Sequence, residues 1–300
     1  MLLIPRLTPR FLTAMLLTSM CASIVCFADE PTAESVIKKV EETYVAMETY
    51  QADGTVVANI DTGKTKIKQE TTFSIRLMKP DLYRITWSQK GPVAQSGAVW
   101  RQDGKPHLYM SALNAFSKMA NDEMALGGAT GISGGAAFTI PSLFLTLKGG
   151  PSSPLASLEN PMLEGSETID GEECFKISGP TAVSKKETYW ISKEKSLIRK
   201  YVRSLEAPDV PAPVAEMTDE QIEEALKGLG EEVNAESKAR MKKRMAGIKQ
   251  MMAQVKLKGM STETQNDIQS PEFDEDDFEF TPPDNAQRKQ SLFGNFLQGN

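Results

Sequence analysis

The chain has 300 residues, 40% hydrophobic and 25% charged, with a formal net charge of −6. This is the composition of a soluble globular protein, and the length is enough to bury a core. An acidic balance with no basic block argues against nucleic acid as a partner, because phosphate binding needs clustered Lys and Arg.

Arg6 and Arg10 precede an apolar run over 11–27 that carries no charge, and Cys26-Phe27-Ala28 sets small residues at −3 and −1 of a cleavage point. The pattern predicts a signal peptide over 1–28 and a periplasmic chain opening at Asp29-Glu30. Thr13, Thr18, Ser19 and Ser23 interrupt the run, so a retained anchor is an alternative, as is a lipid-modified Cys21 or Cys26. Cleavage takes the net charge to −8 and leaves Cys174 alone, which predicts no internal disulfide.

Val36, Ile37, Val40, Tyr44 and Met47 recur at helical spacing and predict an amphipathic helix. Strands are predicted at 50–60, 65–78, 82–88, 93–101 and 107–110, with turns at Asp61-Thr62-Gly63, Pro80-Asp81 and Asp103-Gly104. Connections this short make consecutive strands antiparallel neighbours. Residues 111–126 read as helix, 127–135 as a glycine-rich loop, and 138–147 as an apolar helix around Pro141. Strands resume at 165–170, 172–178, 187–192 and 197–206. Pro208, Pro211 and Pro213 mark a linker into a charged helical hairpin over 218–254. There Thr218 and Gln221 fit a capping box, and Asn234 can cap the second helix. Residues 255–268 return to strand, Phe278-Glu279-Phe280 alternate as a last pairing segment before Pro282-Pro283, and 291–300 reads as a flexible tail. The order gives an α+β fold, mostly antiparallel β, with helices on one side of a long sheet. If the helices cover a concave face, an apolar cavity results.

Three stretches carry a resemblance. Phe73-Ser74-Ile75-Arg76-Leu77-Met78-Lys79-Pro80-Asp81-Leu82-Tyr83 is a strand, a basic residue, a Pro and a second strand. Gln102-Asp103-Gly104-Lys105-Pro106-His107-Leu108-Tyr109 is a hairpin, and Phe278-Glu279-Phe280-Thr281-Pro282-Pro283 is an ending. In order and approximate spacing these resemble the LolA/LolB family of lipoprotein carriers over nearly all of the chain after 28, the hairpin at 218–254 being the main departure. The resemblance implies a curved, incomplete β-barrel covered on its concave side by helices. It implies that acyl chains of a lipid or lipoprotein lie between barrel and helices, with no enzymatic activity. A monomer without cofactor is expected, with a membrane-protein donor or acceptor.

Alternate side chains of a strand share a face. This lines up Phe73, Ile75, Leu77 and Lys79, and Tyr83, Ile85 and Trp87 on the next strand. With Leu143 and Phe144 from the 138–147 segment they are the candidate ligand-binding residues; plain core is the alternative. The resemblance places Lys79 where several carriers have an Arg tied to handing cargo onward; Lys keeps the charge and loses the planar fork. Arg76 and Arg84 alternate with the apolar sets and are expected on a solvated outer face. Residues 127–147 read either as a lid with hinge glycines or as a loop and a core helix. Met241, Met245, Ile248 and Met252 form a helical stripe, either a seam within the hairpin or a contact for a ligand or partner.

Catalytic signals are weak. Gly131-Ile132-Ser133-Gly134-Gly135 fits G-x-S-x-G, but that motif needs a strand–turn–helix and a His downstream. The sole histidine, His107, lies upstream. One His and one remaining Cys cannot build an ordinary zinc site. Asp274-Glu275-Asp276-Asp277 lacks the Gly and closing Glu of an EF-hand and reads as a solvated acidic loop. A carrier is the first functional expectation. A sensor that binds lipid or peptide and regulates a membrane partner is the second.

Overall fold

A computed structural model describes residues 31–91, 94–145, 153–206, 218–228, 231–254 and 258–292. The expected signal segment and the linker prolines lie outside these residues. Helix α1 (Ala33–Ala46) starts at Thr32, whose hydroxyl accepts from the Ser35 amide at 3.2 Å, and it buries Val36, Val40 and Tyr44. Strands β1 (Thr49–Asp61), β2 (Lys66–Met78), β3 (Leu82–Lys90), β4 (Gln95–Gln102), β5 (Lys105–Met110) and β6 (Ala115–Lys118) then pair in sequence. Helices α2 (Asp122–Ser133) and α3 (Pro141–Phe144) leave the sheet. A second run of strands follows: β7 (Met162–Ile169), β8 (Glu172–Thr181), β9 (Ser184–Ser192) and β10 (Ile198–Ser204). Helices α4 (Asp219–Gly228) and α5 (Ala235–Gln254) precede β11 (Lys258–Gln269) and the short β12 (Gln287–Arg288).

Among the described residues the sheet has twelve strands in the order β12-β6-β5-β4-β3-β2-β1-β11-β10-β9-β8-β7. Every pair is antiparallel except β12 with β6. β11 returns to the middle and joins the two meanders through β1 and β10. The sheet does not close, and α1, α2 and α3 pack on one face of it. No helix among the described residues is long and apolar enough to cross a membrane.

The 111–126 region departs from the expected helix. A 3-10 turn, Ser111–Leu113, ends at Asn114 in the left-handed region (φ 42°), and β6 follows. α2 starts only where Asn121 Oδ1 accepts from the Met124 amide at 2.8 Å. Asn tolerates left-handed backbone and caps helices, and these two local signals override the apolar period. The helix then runs through the expected glycine loop. Gly127 and Gly131 lie on its exposed side, where a Cβ would meet nothing within 4 Å, and Gly134 ends it at φ 73°.

Phe278 is not in a strand either. Asp274 and Asp277 cap each other's backbone around the 3-10 turn Glu275–Phe278, and pairing falls to β12. Asp side chains offer the backbone an alternative to a ladder, and Pro282 and Pro283 have no N–H to give one. This C-terminal segment covers the outer face. Arg76 pairs with Asp277 at 3.3 Å, Arg84 donates to the Glu279 carbonyl at 2.8 Å, and Phe280 packs 5.0 Å from Trp100. Arg76 and Arg84 thus point away from the apolar set, but toward protein rather than open solvent. Packing extends to Leu292, which is buried in the main core.

The hairpin has the expected caps. The Gln221 amide donates to the Thr218 hydroxyl at 3.3 Å, the Thr218 amide to Gln221 Oε1 at 2.9 Å, and the Ser237 amide to Asn234 Oδ1 at 2.9 Å. Ile222, Leu226 and Met241 form a small core of their own, flanked by the Lys238–Glu223 and Lys242–Asp219 ion pairs. Met241 is therefore a seam residue and Met245 is 40% exposed; the Ile248 and Met252 side chains lie outside the described ones.

Candidate functional site

The register of β1 to β5 sets apolar side chains in rows on the covered face. Tyr50, Leu77 and Tyr83 form one row; Ala52, Ile75, Ile85, Val99 and Leu108 form the next. In the third row Phe73 and Trp87 stand beside Gly54 and Gly97. A Cβ at Gly54 would lie 2.2 Å from Phe73 Cζ, and one at Gly97 would lie 2.2 Å from Trp87 Cζ2. Both rings therefore lie flat on bare backbone, which only glycine permits. Gly97→Ala is expected to lift the Trp87 indole and cost about 1–3 kcal/mol by overpacking. Thermal unfolding with tryptophan emission reads both effects; an unshifted emission would show that the ring does not rest there.

Eight of the nine candidate residues meet in one interior, and Lys79 lies at its edge. Phe73, Ile75, Leu77, Tyr83, Ile85, Trp87 and Phe144 are buried in a single core, and Leu143 packs against it. Lys79 Nζ donates to the carbonyls of Tyr44 (3.0 Å) and Val45 at the end of α1, and it sits 5.0 Å from the centre of the Phe144 ring. It caps the helix dipole and ties α1 to the corner of the sheet. Trp87 Nε1 is buried without a hydrogen-bond partner. The other two indoles have partners, Gln102 for Trp100 and Glu167 for Trp190.

The cover over this face is thin. From α2 to α3 it contributes Ala125, Ala129, Ser133, Ala136 and Ala137, with Leu126, Ile140 and Phe144 as its larger buried side chains. Side-chain hydrogen bonds fasten it. Tyr83 donates to Asp122 Oδ1 at 2.8 Å, Arg101 pairs with Asp122, and Gln89 Nε2 donates to the Ile132 carbonyl at 2.8 Å. Thr139 Oγ1 donates to Glu263 Oε2 at 2.7 Å.

That last tie opens a polar region that sequence reasoning missed. Glu263 on β11 is flanked across the sheet by Val56 and Tyr201 and is 4% exposed. Gln265 Nε2 donates to its Oε1 at 2.7 Å, and Tyr50 donates to Gln265 Oε1 at 3.4 Å. Burial pushes its carboxyl up from 4.5 to about 7, against the two hydrogen bonds and the charge of Arg203. Further along, Tyr189 donates to Glu187 Oε2 at 3.1 Å and stacks on Tyr201. Ser261, Glu263 and Gln265 alternate as a solvated face would. The signal of burial was only that β11 lies mid-sheet, which pairing reveals and composition hides.

No nucleophile is presented by the G-x-S-x-G stretch. Ser133 is buried at the end of α2, donates to the Thr130 carbonyl at 3.4 Å, and accepts from the Ala137 amide at 3.3 Å. His107 stacks on Trp100 at 5.1 Å, and burial holds its imidazole below the usual value. Cys174 is free and buried, its thiol pushed up to about 11 chiefly by that burial. Among the described residues no group of His, Cys, Asp or Glu is placed to hold a metal. Two surface clefts lie elsewhere and are lined by polar residues: ≈290 Å³ beside Lys118 and Arg288, and ≈630 Å³ between Glu173 and Lys193.

The chain matches no protein-family profile and no curated protein. Solved structures are similar to it at low identity. An uncharacterised conserved protein from Thermus thermophilus is 11% identical, with 86% of this chain and 98% of that one covered and a TM-score of 0.42. LprF from Mycobacterium bovis is 9% identical, with 85% and 97% covered and a TM-score of 0.40. A LolA-superfamily protein from Nitrosomonas europaea is 10% identical, with 84% and 99% covered and a TM-score of 0.29. The likeness is one of fold alone.

Proposed function

We propose that the protein is an exported, periplasmic carrier that takes acyl chains of a lipid or lipoprotein between its sheet and helical cover and delivers them toward the outer membrane. The observation that carries this reading is a broad apolar face, Tyr50 through Leu108, closed by an alanine-rich cover on side-chain hydrogen bonds. Where the sequence predicted an apolar cavity, the face in the described conformation is packed by the protein's own side chains, so on this reading a ligand enters by displacing the cover. Two exposed glycines weaken α2 by about 1 kcal/mol each relative to alanine, and each tie contributes on the order of 1 kcal/mol. Burying a fourteen-methylene chain returns about 11 kcal/mol before ordering costs. Against this stand the ordering cost and the apolar contacts that Leu126, Ile140 and Phe144 give up when the cover is displaced; no catalytic group takes part in the exchange. Leu143, Phe144 and the row residues from Phe73 to Trp87 contact the chain, with Lys79 at the mouth beside the end of α1.

The unpartnered indole offers a direct test. A fatty-acid methyl ester titrated into ¹⁵N-labelled protein is expected to shift the Trp87 indole resonance and spare those of Trp100 and Trp190. Three unmoved resonances at saturating ester would overturn the proposed face. The second reading is a lipid- or peptide-binding module that regulates a membrane partner. It is favoured by the α4–α5 hairpin, whose separate core serves no purpose in the sheet. A sensor co-purifies with a membrane protein whose activity it changes; a carrier passes bound lipid to an acceptor.

A further inference from the structure

Glu263 sits where an acyl-binding face has least use for it. A carboxyl taken out of water loses its hydration, and an apolar side chain of that size would be the more stabilising choice beside Val56. Its two oxygens are treated differently. Oε1 is held by Gln265, a neighbour on the same strand that is itself backed by Tyr50. Oε2 is held by Thr139, which belongs to the cover. When the cover moves, Oε1 keeps its donor and Oε2 loses it. Besides Thr139, the cover presents only the backbone of Gly135 to Oε2; a Cβ built there would stand 3.9 Å away, in ordinary van der Waals contact. A hydroxyl 2.7 Å from Oε2 shows what the position accepts.

Resting on the acyl-binding reading above, we propose that Oε2 of Glu263 is the polar subsite of that site. It receives a hydrogen-bond donor (a hydroxyl, amide N–H or ammonium) that the ligand carries beside its acyl chain, in place of the Thr139 hydroxyl. The ligand class is thus an uncharged or cationic amphiphile with a donor-bearing headgroup. A free fatty acid brings a carboxylate to a carboxylate and is disfavoured. The apolar rows of β2 to β4 take the tail, and the Glu263–Gln265–Tyr50 group fixes which way round the ligand lies.

The test compares a monoacylglycerol with the methyl ester of the same acid, each titrated calorimetrically into the full chain at pH 8. The two ligands share tail and ester and differ in hydroxyl donors. Wild type is expected to bind the monoacylglycerol about tenfold more tightly, the worth of one hydrogen bond to a charged acceptor. Glu263→Leu should bring that ratio to about one while ester binding persists. Glu263→Gln keeps the shape without the charge; with its oxygen held by Gln265 it presents an amide NH₂ at the Oε2 position, where a ligand hydroxyl can only accept, and it should lower the ratio to an intermediate value. Equal binding of both ligands by wild type overturns the subsite alone, as does a ratio that neither variant changes. Binding of neither ligand by wild type overturns the acyl-binding reading and the subsite with it.

Discussion

Replacing Glu263 with Gln is expected to raise the unfolding temperature at pH 8 and to leave it nearly unchanged at pH 5. Burial lifts the carboxyl from 4.5 to about 7. Between those values the folded protein keeps a proton that the unfolded chain has released, so stability falls as pH rises. The loss begins near pH 4.5, is complete above about pH 7, and amounts to about 3 kcal/mol. Gln is neutral throughout. Its oxygen can accept from Gln265 and its amide can donate to the Thr139 hydroxyl, so neither partner of the carboxyl is left unpaired. The variant should therefore unfold roughly 6–10 °C higher than wild type at pH 8. Thermal unfolding of both proteins at unit steps from pH 5 to pH 8 is the measurement. A wild-type stability that stays level across this range would mean that water reaches the carboxyl.

Ile140→Ala is expected to weaken the protein and strengthen its hold on an acyl ligand together. Ile140 is fully buried beneath the cover and belongs to the main core. Truncating a buried Ile to Ala costs about 2–5 kcal/mol, here drawn from the closed arrangement of the segment that bears it. A ligand that binds only when the cover is displaced has its affinity reduced by the fraction of molecules in that state. Loosening the cover raises that fraction, so affinity for a fatty-acid methyl ester should rise by about tenfold or more as the melting temperature drops. Calorimetric titration and hydrogen exchange across 122–144 follow the two effects separately. Ester affinity that falls with stability would show that the ligand needs the cover closed.

Much of the fold was legible because the relevant signals are local. The alternation of Phe73, Ile75 and Leu77, the Asp103-Gly104 turn and the Thr218 cap all act within a few residues, and each is found where its chemistry requires. Phe278-Glu279-Phe280 alternated equally well and formed no strand, because the Asp274–Asp277 box and two prolines compete at the same range. The Asn114 and Asn121 signals are equally short-ranged, but in the sequence an apolar run outweighs them. The candidate site was legible as a face and no further. Spacing places Leu77 beside Tyr83, yet whether that face is filled by Phe144 or by a ligand depends on segments far along the chain. Glu263 was the hardest to see. Its strand looks half-solvated, and only its position between Val56 and Tyr201 makes it interior.

The ladder between β10 and β11 ends at Ser204 opposite Met260, and the Leu205 amide still reaches the Gly259 carbonyl at 3.0 Å. The chain therefore leaves the sheet after Leu205 and is back in it at Lys258, at one hairpin tip, with α4 and α5 between these points in the sequence. An outgrowth rooted at such a point can lengthen, shorten or change its surface while the strands on either side keep their partners. The molecule has in effect a detachable handle, whose surface can change without disturbing the sheet beneath.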